Sequence, residues 1–452
     1  MQRSSFLRLL GVAAGLLSAS AASAQTVVPF TAGNFVVVRI GDGTTTLTAA
    51  AAATALQEYT PAGTLVQTVA LPTADAGTAL AFTETGSSTT DASLTRSADG
   101  RYLVLTGYNA IPGTATLAGT AASANNRLIA RVASDGTVNT STRITDAFSG
   151  STSTNVNIRG AASANGSTFY AIGSNSGVVY VPLGNTAAST AISTGAPTNI
   201  RTVNVVGGNL YISSSSGTTL GVAQVGTGLP TTTGQAITPL AGFPTAAGPS
   251  SYSFFFTDQS ATVPGPDVVY VADDRTTTDG GIQKWSLVGT SWVLNGTITG
   301  GTAAVRGLTG SVSGTTVRLL ASSASSIYTV TDNAGYNVAP STAALPAAIA
   351  TAAANYAFRG IAPAPLATAL AARLASALEL GLYPNPATDK LTVELPGTST
   401  LGHTVEVRDL LGRTVRTASL SASGEVNLTG LHAGTYLLTV DGNLTRRITK
   451  ID

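Results

Sequence analysis

The chain has 452 residues, with 23 Lys plus Arg against 22 Asp plus Glu, a formal net charge of +1, and only 10% charged residues. This length is enough to bury a large core, and the balanced charge excludes the basic stripe of a nucleic-acid binder. The chain contains no cysteine, which excludes disulfides, thiolate metal sites and a lipid-anchored N-terminal cysteine.

Residues 1–24 have the layout of a secretory signal. Arg3 and Arg8 form a positive head, Leu9 to Leu17 a short apolar run, and Ala22-Ser23-Ala24 a small-x-small cleavage site. The mature chain is expected to start at Gln25. Ser18, Ser20 and Ser23 interrupt the apolar run, which is too short to span a membrane. No other stretch of 18 uninterrupted apolar residues follows, so no transmembrane segment is expected in the mature chain.

Residues 25–365 are expected to be the passenger, and they repeat. One unit recurs: an apolar residue, Arg, then Gly or Thr, followed by a glycine turn and a β-rich run. Asn157-Ile158-Arg159-Gly160 leads to Phe169-Tyr170-Ala171-Ile172. Asn199-Ile200-Arg201-Thr202 leads to Leu210-Tyr211-Ile212. Ala304-Val305-Arg306-Gly307 leads to Val317-Arg318-Leu319-Leu320. Leu94-Thr95-Arg96-Ser97 is a divergent copy, Ser251-Tyr252-Ser253-Phe254 a copy without Arg, and Ala357-Phe358-Arg359-Gly360 a final half copy. Further strands follow in each unit, such as Val178-Val179-Tyr180-Val181 and Gly281-Ile282-Gln283-Lys284-Trp285. Four strands repeating at intervals of roughly 40 to 63 residues are the pattern of β-propeller blades.

Five full units begin near Asp91, Thr154, Pro197, Gly248 and Thr302. Before them lie three strands around Val36, Leu56 and Val66 that lack a first strand. The half copy at 356–362 is a first strand lacking the rest. Joined, they would make a sixth blade and close the ring, which removes exposed sheet edges. Six blades are expected, with seven if residues 73–95 or 230–260 hide another. A β-helix would repeat at a much shorter interval.

Residues 366–379 change texture. Leu366 to Leu378 is Ala/Leu-rich and is expected to be a linker, with one short helix as its most structured form.

From 380 onward, period-two alternation returns at Leu391-Val393-Leu395, Val405-Val407 and Tyr436-Leu438-Val440. Tyr383-Pro384-Asn385-Pro386 sets an extended lead-in and turn. Asp409-Leu410-Leu411-Gly412-Arg413 is a hairpin turn with glycine where positive φ is needed. His432-Ala433-Gly434 is another turn, followed by Tyr436. Short strands with frequent turns imply a small antiparallel, Ig-like β-sandwich. These motifs, with the basic closing run Arg446-Arg447-Ile448-Thr449-Lys450, resemble in order the type A C-terminal sorting domain of type IX secretion, a family of the Bacteroidota. The resemblance covers about a sixth of the chain. It implies passage across the outer membrane, with the type IX machinery and a surface sortase as partners, and a secreted or cell-surface destination.

Passenger chemistry is sparse. Both histidines, His403 and His432, lie in the C-terminal segment. The passenger therefore has no imidazole base, no Ser-His-Asp triad and no His metal site. Its two Glu are Glu58 and Glu84. Asp99-Gly100 and Asp135-Gly136 are expected to be turns. Asp273, Asp274 and Asp279 offer the hard oxygens that calcium takes. Their spacing departs from the EF-hand pattern, and the alternative is a solvated loop with Arg275 pairing locally. No other cofactor is expected. Tyr252, Phe254, Phe255, Phe256, Trp285 and Trp292 are expected as core between blades rather than sugar platforms.

Arg96, Arg159, Arg201, Arg306 and Arg359 are expected in one register on the innermost strands. Facing a common channel, they would attract an anion such as a sugar acid, sulfated glycan or phosphate. The alternative is that each bonds carbonyls of a neighbouring blade and staples the repeats together. The expected function is a non-enzymatic surface module binding a glycan or a surface protein. The alternative is a polysaccharide hydrolase or lyase using passenger Asp residues and the arginines.

Overall fold

The computed structural model describes residues 28–246, 248–277, 279–367, 381–395, 400, 402–409, 412–441 and 444–452. The expected signal segment and nearly all of the expected linker and its helix lie outside these residues. Within them the protein is all-β, built of several antiparallel sheets with no closed barrel. The single helical element among the described residues is a 3-10 turn at Leu117–Gly119.

Strands β1 (Phe35–Ile40), β2 (Ala51–Tyr59) and β3 (Leu65–Ala70) form a meander, and β4 (Thr83–Thr85) connects it onward. Five four-stranded sets follow. They are β5 (Leu94–Arg96), β6 (Tyr102–Tyr108), β7 (Arg127–Ala133) and β8 (Val138–Ile144); β9 (Ile158–Ala162), β10 (Thr168–Gly173), β11 (Val178–Pro182) and β12 (Thr190–Ser193); β13 (Thr202–Val206), β14 (Asn209–Ser216), β15 (Thr219–Val225) and β16 (Ile237–Pro239); β17 (Ser251–Thr257), β18 (Val268–Asp273), β19 (Gly281–Val288) and β20 (Ser291–Thr299); β21 (Gly307–Ser313), β22 (Thr316–Ser322), β23 (Ser326–Asp332) and β24 (Ala350–Thr351). Strand β25 (Ala357–Pro363) then returns to pair antiparallel with β1, Phe35 opposite Pro363. Because β4 bridges β2 and β6, the first two sets and β25 make one nine-stranded sheet.

The burial pattern explains the apolar runs. Strands β1 and β10 are covered on both faces, so they read as continuous apolar stretches rather than alternating ones. Strand β20, last in its set, leaves Val293 and Leu294 exposed. The core clusters draw on consecutive sets of strands. Leu56 and Val69 pack with Leu103, Leu105 and Leu128, and Tyr108 and Ile129 with Phe169 and Val179. Phe35, Tyr59 and Phe358 pack with Ile327. The sheets therefore stack face to face around the chain.

Their first strands are neighbours in succession: β5 lies beside β9, β9 beside β13, β13 beside β17, β17 beside β21, β21 beside β25, and β25 beside β5. Backbone bonds join three of these pairs: Ser93 N–H to Arg159 O (2.9 Å), Ser253 N–H to Arg306 O (3.2 Å) and Gly360 N–H to Ala92 O (3.0 Å). The glycine after the arginine is what permits this approach. A Cβ at Gly360 would lie 2.1 Å from the Leu94 nitrogen, and one at Gly160 would lie 2.9 Å from the Ser93 side chain.

The C-terminal segment has two sheets. One orders β26 (Gly381–Tyr383), β27 (Lys390–Glu394) and β30 (Glu425–Asn427); the other orders β29 (Thr414–Ser419), β28 (Thr404–Arg408), β31 (Gly434–Val440) and β32 (Leu444–Lys450). Leu391, Val393 and Val426 from the first share a core with Val405, Val407, Leu438 and Ile448 from the second.

Candidate functional site

The inter-strand bonds identify equivalent positions. Ser93, Ser253 and Gly360 each donate to the residue that Arg159, Arg306 or Ala92 occupies in the next strand. The arginine position is thus filled by Arg159, Arg201, Arg306 and Arg359, by Tyr252 in β17, and by Ala92 just before β5. Arg96 is not in this register. It lies four residues further along β5 and lines a different cavity, of about 200 Å³, with Thr95, Asn204, Thr309 and Pro363. The expectation for Arg96 is corrected on this point: in sequence its Leu-Thr-Arg resembles the motif, but strand alignment is set by backbone pairing.

The arginines reach to adjacent sets of strands. Arg159 donates through Nη1 to Asn199 Oδ1 (2.5 Å) and Ile200 O (2.9 Å). Arg201 donates to the Tyr252 hydroxyl and stacks on that ring at 4.6 Å. Arg306 lies 5.5 Å from the same ring and pairs with Asp274 at 2.9 Å. Arg359 donates to Gly86 O (3.1 Å) and Phe358 O (2.9 Å), and its Nε stands 3.6 Å from Asp91. Arg96 donates to Ala364 O (3.2 Å). Each of the five thus bonds or pairs with residues outside its own set of strands, Arg159, Arg201 and Arg306 across to a different sheet and Arg96 and Arg359 within the nine-stranded sheet.

Arg201, Tyr252, Arg306, Arg359 and Asp91 meet around a cavity of about 30 Å³. Behind it sits an acid pair that sequence reasoning did not single out. Glu84 and Asp91 are fully buried, and neither Glu84 oxygen nor Asp91 Oδ1 has a hydrogen-bond partner. Burial, then the Asp91 charge, push the Glu84 carboxyl well above its usual range, with Arg359 opposing. Burial also raises Asp91, against Arg359 and a hydrogen bond from Thr85. Hydroxyl-rich Thr83-Glu84-Thr85 carries no apolar-periodic signal, so only packing exposes this pair. Next to the cavity, and sharing Thr89 and Thr90 with it, lies a groove of about 330 Å³ lined by Ser87, Ser88, Asn155 and Asn157.

The acidic loop is committed elsewhere. Asp273 accepts from Arg275 at 2.7 Å and from Gln283 at 3.1 Å. Asp274 holds Arg306, and the exposed Asp279 lies 3.8 Å from Arg275. Among the described residues no group of three or more His, Cys, Asp or Glu converges as metal ligands would. Tyr252, Phe254, Trp285 and Trp292 are buried, and Phe243 stacks on Trp285 at 4.3 Å. Gly100 and Gly136 have positive φ behind Asp99 and Asp135, and the Asp135 side chain accepts from the Thr137 amide.

In the C-terminal segment, Tyr383 is 51% exposed, and Pro384, Asn385 and Pro386 are exposed beside it. The Asn385 side chain ties this run to β32, donating to Arg447 O (3.1 Å) and accepting from the Thr449 amide (2.9 Å). Asp409 accepts from the Arg413 backbone and side chain, and Gly412 adopts φ 82° in that turn. Gly434 opens β31 with an ordinary φ, and Gly430 supplies the left-handed residue of the preceding turn. Tyr436 donates its hydroxyl to His432 O at 2.8 Å.

Residues 381–451 match the family of secretion system C-terminal sorting domains. They are a type IX sorting domain, and this indicates secretion to the cell surface. No curated protein matches the chain. Among solved structures, the chain is similar to PorZ, an essential bacterial surface component of the type-IX secretion system of Porphyromonas gingivalis, with 14% identity and a TM-score of 0.36 over 88% of this chain and 56% of that one. This chain thus spans little more than half of that protein's length. It is also similar to a putative 6-phosphogluconolactonase from Bacteroides uniformis, with 12% identity and a TM-score of 0.37 over 88% of this chain and 100% of that one. Both superpositions are loose. No helix among the described residues is long and apolar enough to cross a membrane.

Proposed function

We propose that residues 28–367 form a six-bladed β-propeller acting as a non-catalytic binding module, carried to the cell surface by its sorting domain. The observation that carries this reading is the succession of first strands that returns to its start, with β25 beside both β21 and β5. Six sets of strands then surround one axis, the closing set being β25, β1, β2 and β3. Arginine bonds between successive sets of strands support the same arrangement, because each repeat in such an architecture contacts only its neighbours. The smaller cavity is lined mainly by Ser and Thr hydroxyls and by Arg201, Arg306 and Arg359, with Asp91 as its single carboxylate, which suits recognition of a polar ligand better than chemistry that needs two facing carboxylates. Through the sorting domain the partners are the type IX machinery and a sortase, and through the passenger a glycan or a surface protein.

The test uses the protein as released by its host, applied to an array of surface polysaccharides and to the same polysaccharides in a hydrolysis assay. Retention on at least one polymer without chain shortening is expected. Turnover that disappears on Asp91→Asn overturns the reading, and no retention on any polymer overturns its glycan form.

A further inference from the structure

The charges around the axial cavity do not cancel. Arg306 has Asp274 at 2.9 Å, and Arg359 has Asp91 at 3.6 Å with Glu84 close by. Arg201 and Arg159 have no such partner among the described residues. Arg201 bonds only a tyrosine hydroxyl, and Arg159 only an amide oxygen and a backbone carbonyl. Arg159 is 7% exposed, and its Nε is buried with no hydrogen-bond partner. Its pKa is pushed down to about 10, first by burial and then by the charge of Arg201. Arg159 is thus a buried cation beside the half-buried Arg201, with neither in an ion pair among the described residues and only the more distant Asp91 charge opposing their repulsion, an arrangement costly to a fold unless something neutralises it.

We propose that the axial cavity takes a single anionic group on Arg201, backed by Arg159, as the acidic head of a hydroxylated ligand such as a uronic acid. This rests on the binding-module reading above and specifies its ligand.

Three features fit that ligand. The Tyr252 ring lies 4.6 Å from the Arg201 guanidinium and 5.5 Å from that of Arg306, so both are held in place before any ligand arrives. A planar fork held in this way matches a carboxylate bidentately. The cavity, about 30 Å³, has room for roughly one or two oxygen-sized groups, so it accepts a carboxylate head and excludes a sugar ring. The rest of the ligand then extends into the adjoining groove. Ser87, Ser88, Thr89, Thr90 and Asn157 there present hydroxyls and an amide with no charged side chain, a lining suited to the hydroxyls of a sugar.

The experiment titrates the full secreted chain with sodium D-glucuronate, D-glucose, sodium phosphate and sodium chloride at matched ionic strength. Calorimetry gives affinity, and a melting curve gives stabilisation. Glucuronate is expected to bind saturably, and glucose is expected to give no saturable response. Arg201→Gln is expected to abolish the response, Arg201→Lys to weaken it about tenfold by losing the fork, and the exposed Arg318→Gln to leave it unchanged. The lysine variant serves if the glutamine variant does not fold. Equal binding of glucuronate by the Arg201 variants overturns the proposal, and so does the absence of a saturable response to any anion. Phosphate or chloride matching glucuronate overturns the sugar-acid assignment and leaves a free ion as the occupant. Retention on a neutral polymer with no anion response defeats this inference while the binding-module reading stands.

Discussion

Glu84 illustrates how a single side chain can set the pH response of this protein. Its carboxyl is fully buried without a hydrogen-bond donor, and the charged groups facing it are Asp91 and Arg359, with Tyr108 nearby. Above the ordinary carboxylate pKa of about 4.3, the unfolded chain releases a proton that the native state still holds. Stability therefore falls as pH rises from that value toward the native titration, by at most about 1.4 kcal/mol per pH unit for one proton. Asp91, also raised, acts in the same direction. Glu84→Gln is expected to flatten the decline, so that it is more stable than the parent at pH 8 and less distinct from it at pH 5. Denaturant midpoints at the two pH values check this; a parallel decline in both proteins would refute it. Nothing in the letters around Glu84 announces the pair, because Asp91 meets it through folding of the intervening loop.

Between elements, the cross-sheet bonds are polar as well as apolar. Lys284 on β19 is 1% exposed, and its ammonium lies 2.7 Å from Asp332 at the end of β23 and 2.7 Å from Gly335 O. Tyr270 on β18 donates to the same carboxylate at 2.6 Å, and the Ala334 and Ser341 amides occupy its other oxygen. Burial would raise the Asp332 pKa, but the Lys284 hydrogen bond and these donors outweigh it and hold the carboxyl below its usual range. Lys284→Met strands a buried carboxylate and is expected to cost about 3–5 kcal/mol in urea unfolding. The double variant Lys284→Met, Asp332→Leu should recover most of that loss. A double variant as unstable as the single would show that the pair is not what joins these sheets. The strands that carry these residues were legible, since their β-branched and aromatic runs are local. The ion pair was not, because its partners belong to different sheets.

For the whole molecule, the sorting domain makes the plainest prediction. Removing residues 381–452 is expected to leave the passenger in the periplasm of its host, as read by cell fractionation and surface labelling. Unchanged surface display would refute a transport role for these residues. Strands β1 and β25 pair antiparallel and join residues near the two ends of 28–367. The expectation that the first three strands lack a partner and that 356–362 supplies it pointed to that pairing.

Destination and strand content were written locally. Period-two alternation, turn glycines and the ordered motifs of 381–451 each act over a few residues, so they can be recognised before anything folds. The arginine motif was visible too, but its meaning was not. Arg359 bonds a carbonyl 273 residues away, Arg306 meets Asp274 from the preceding sheet, and Arg96 falls out of register altogether. Which guanidinium is neutralised and which stays available depends on long-range packing and desolvation. Those forces act between segments far apart in the chain, and so they appear only in the tertiary structure.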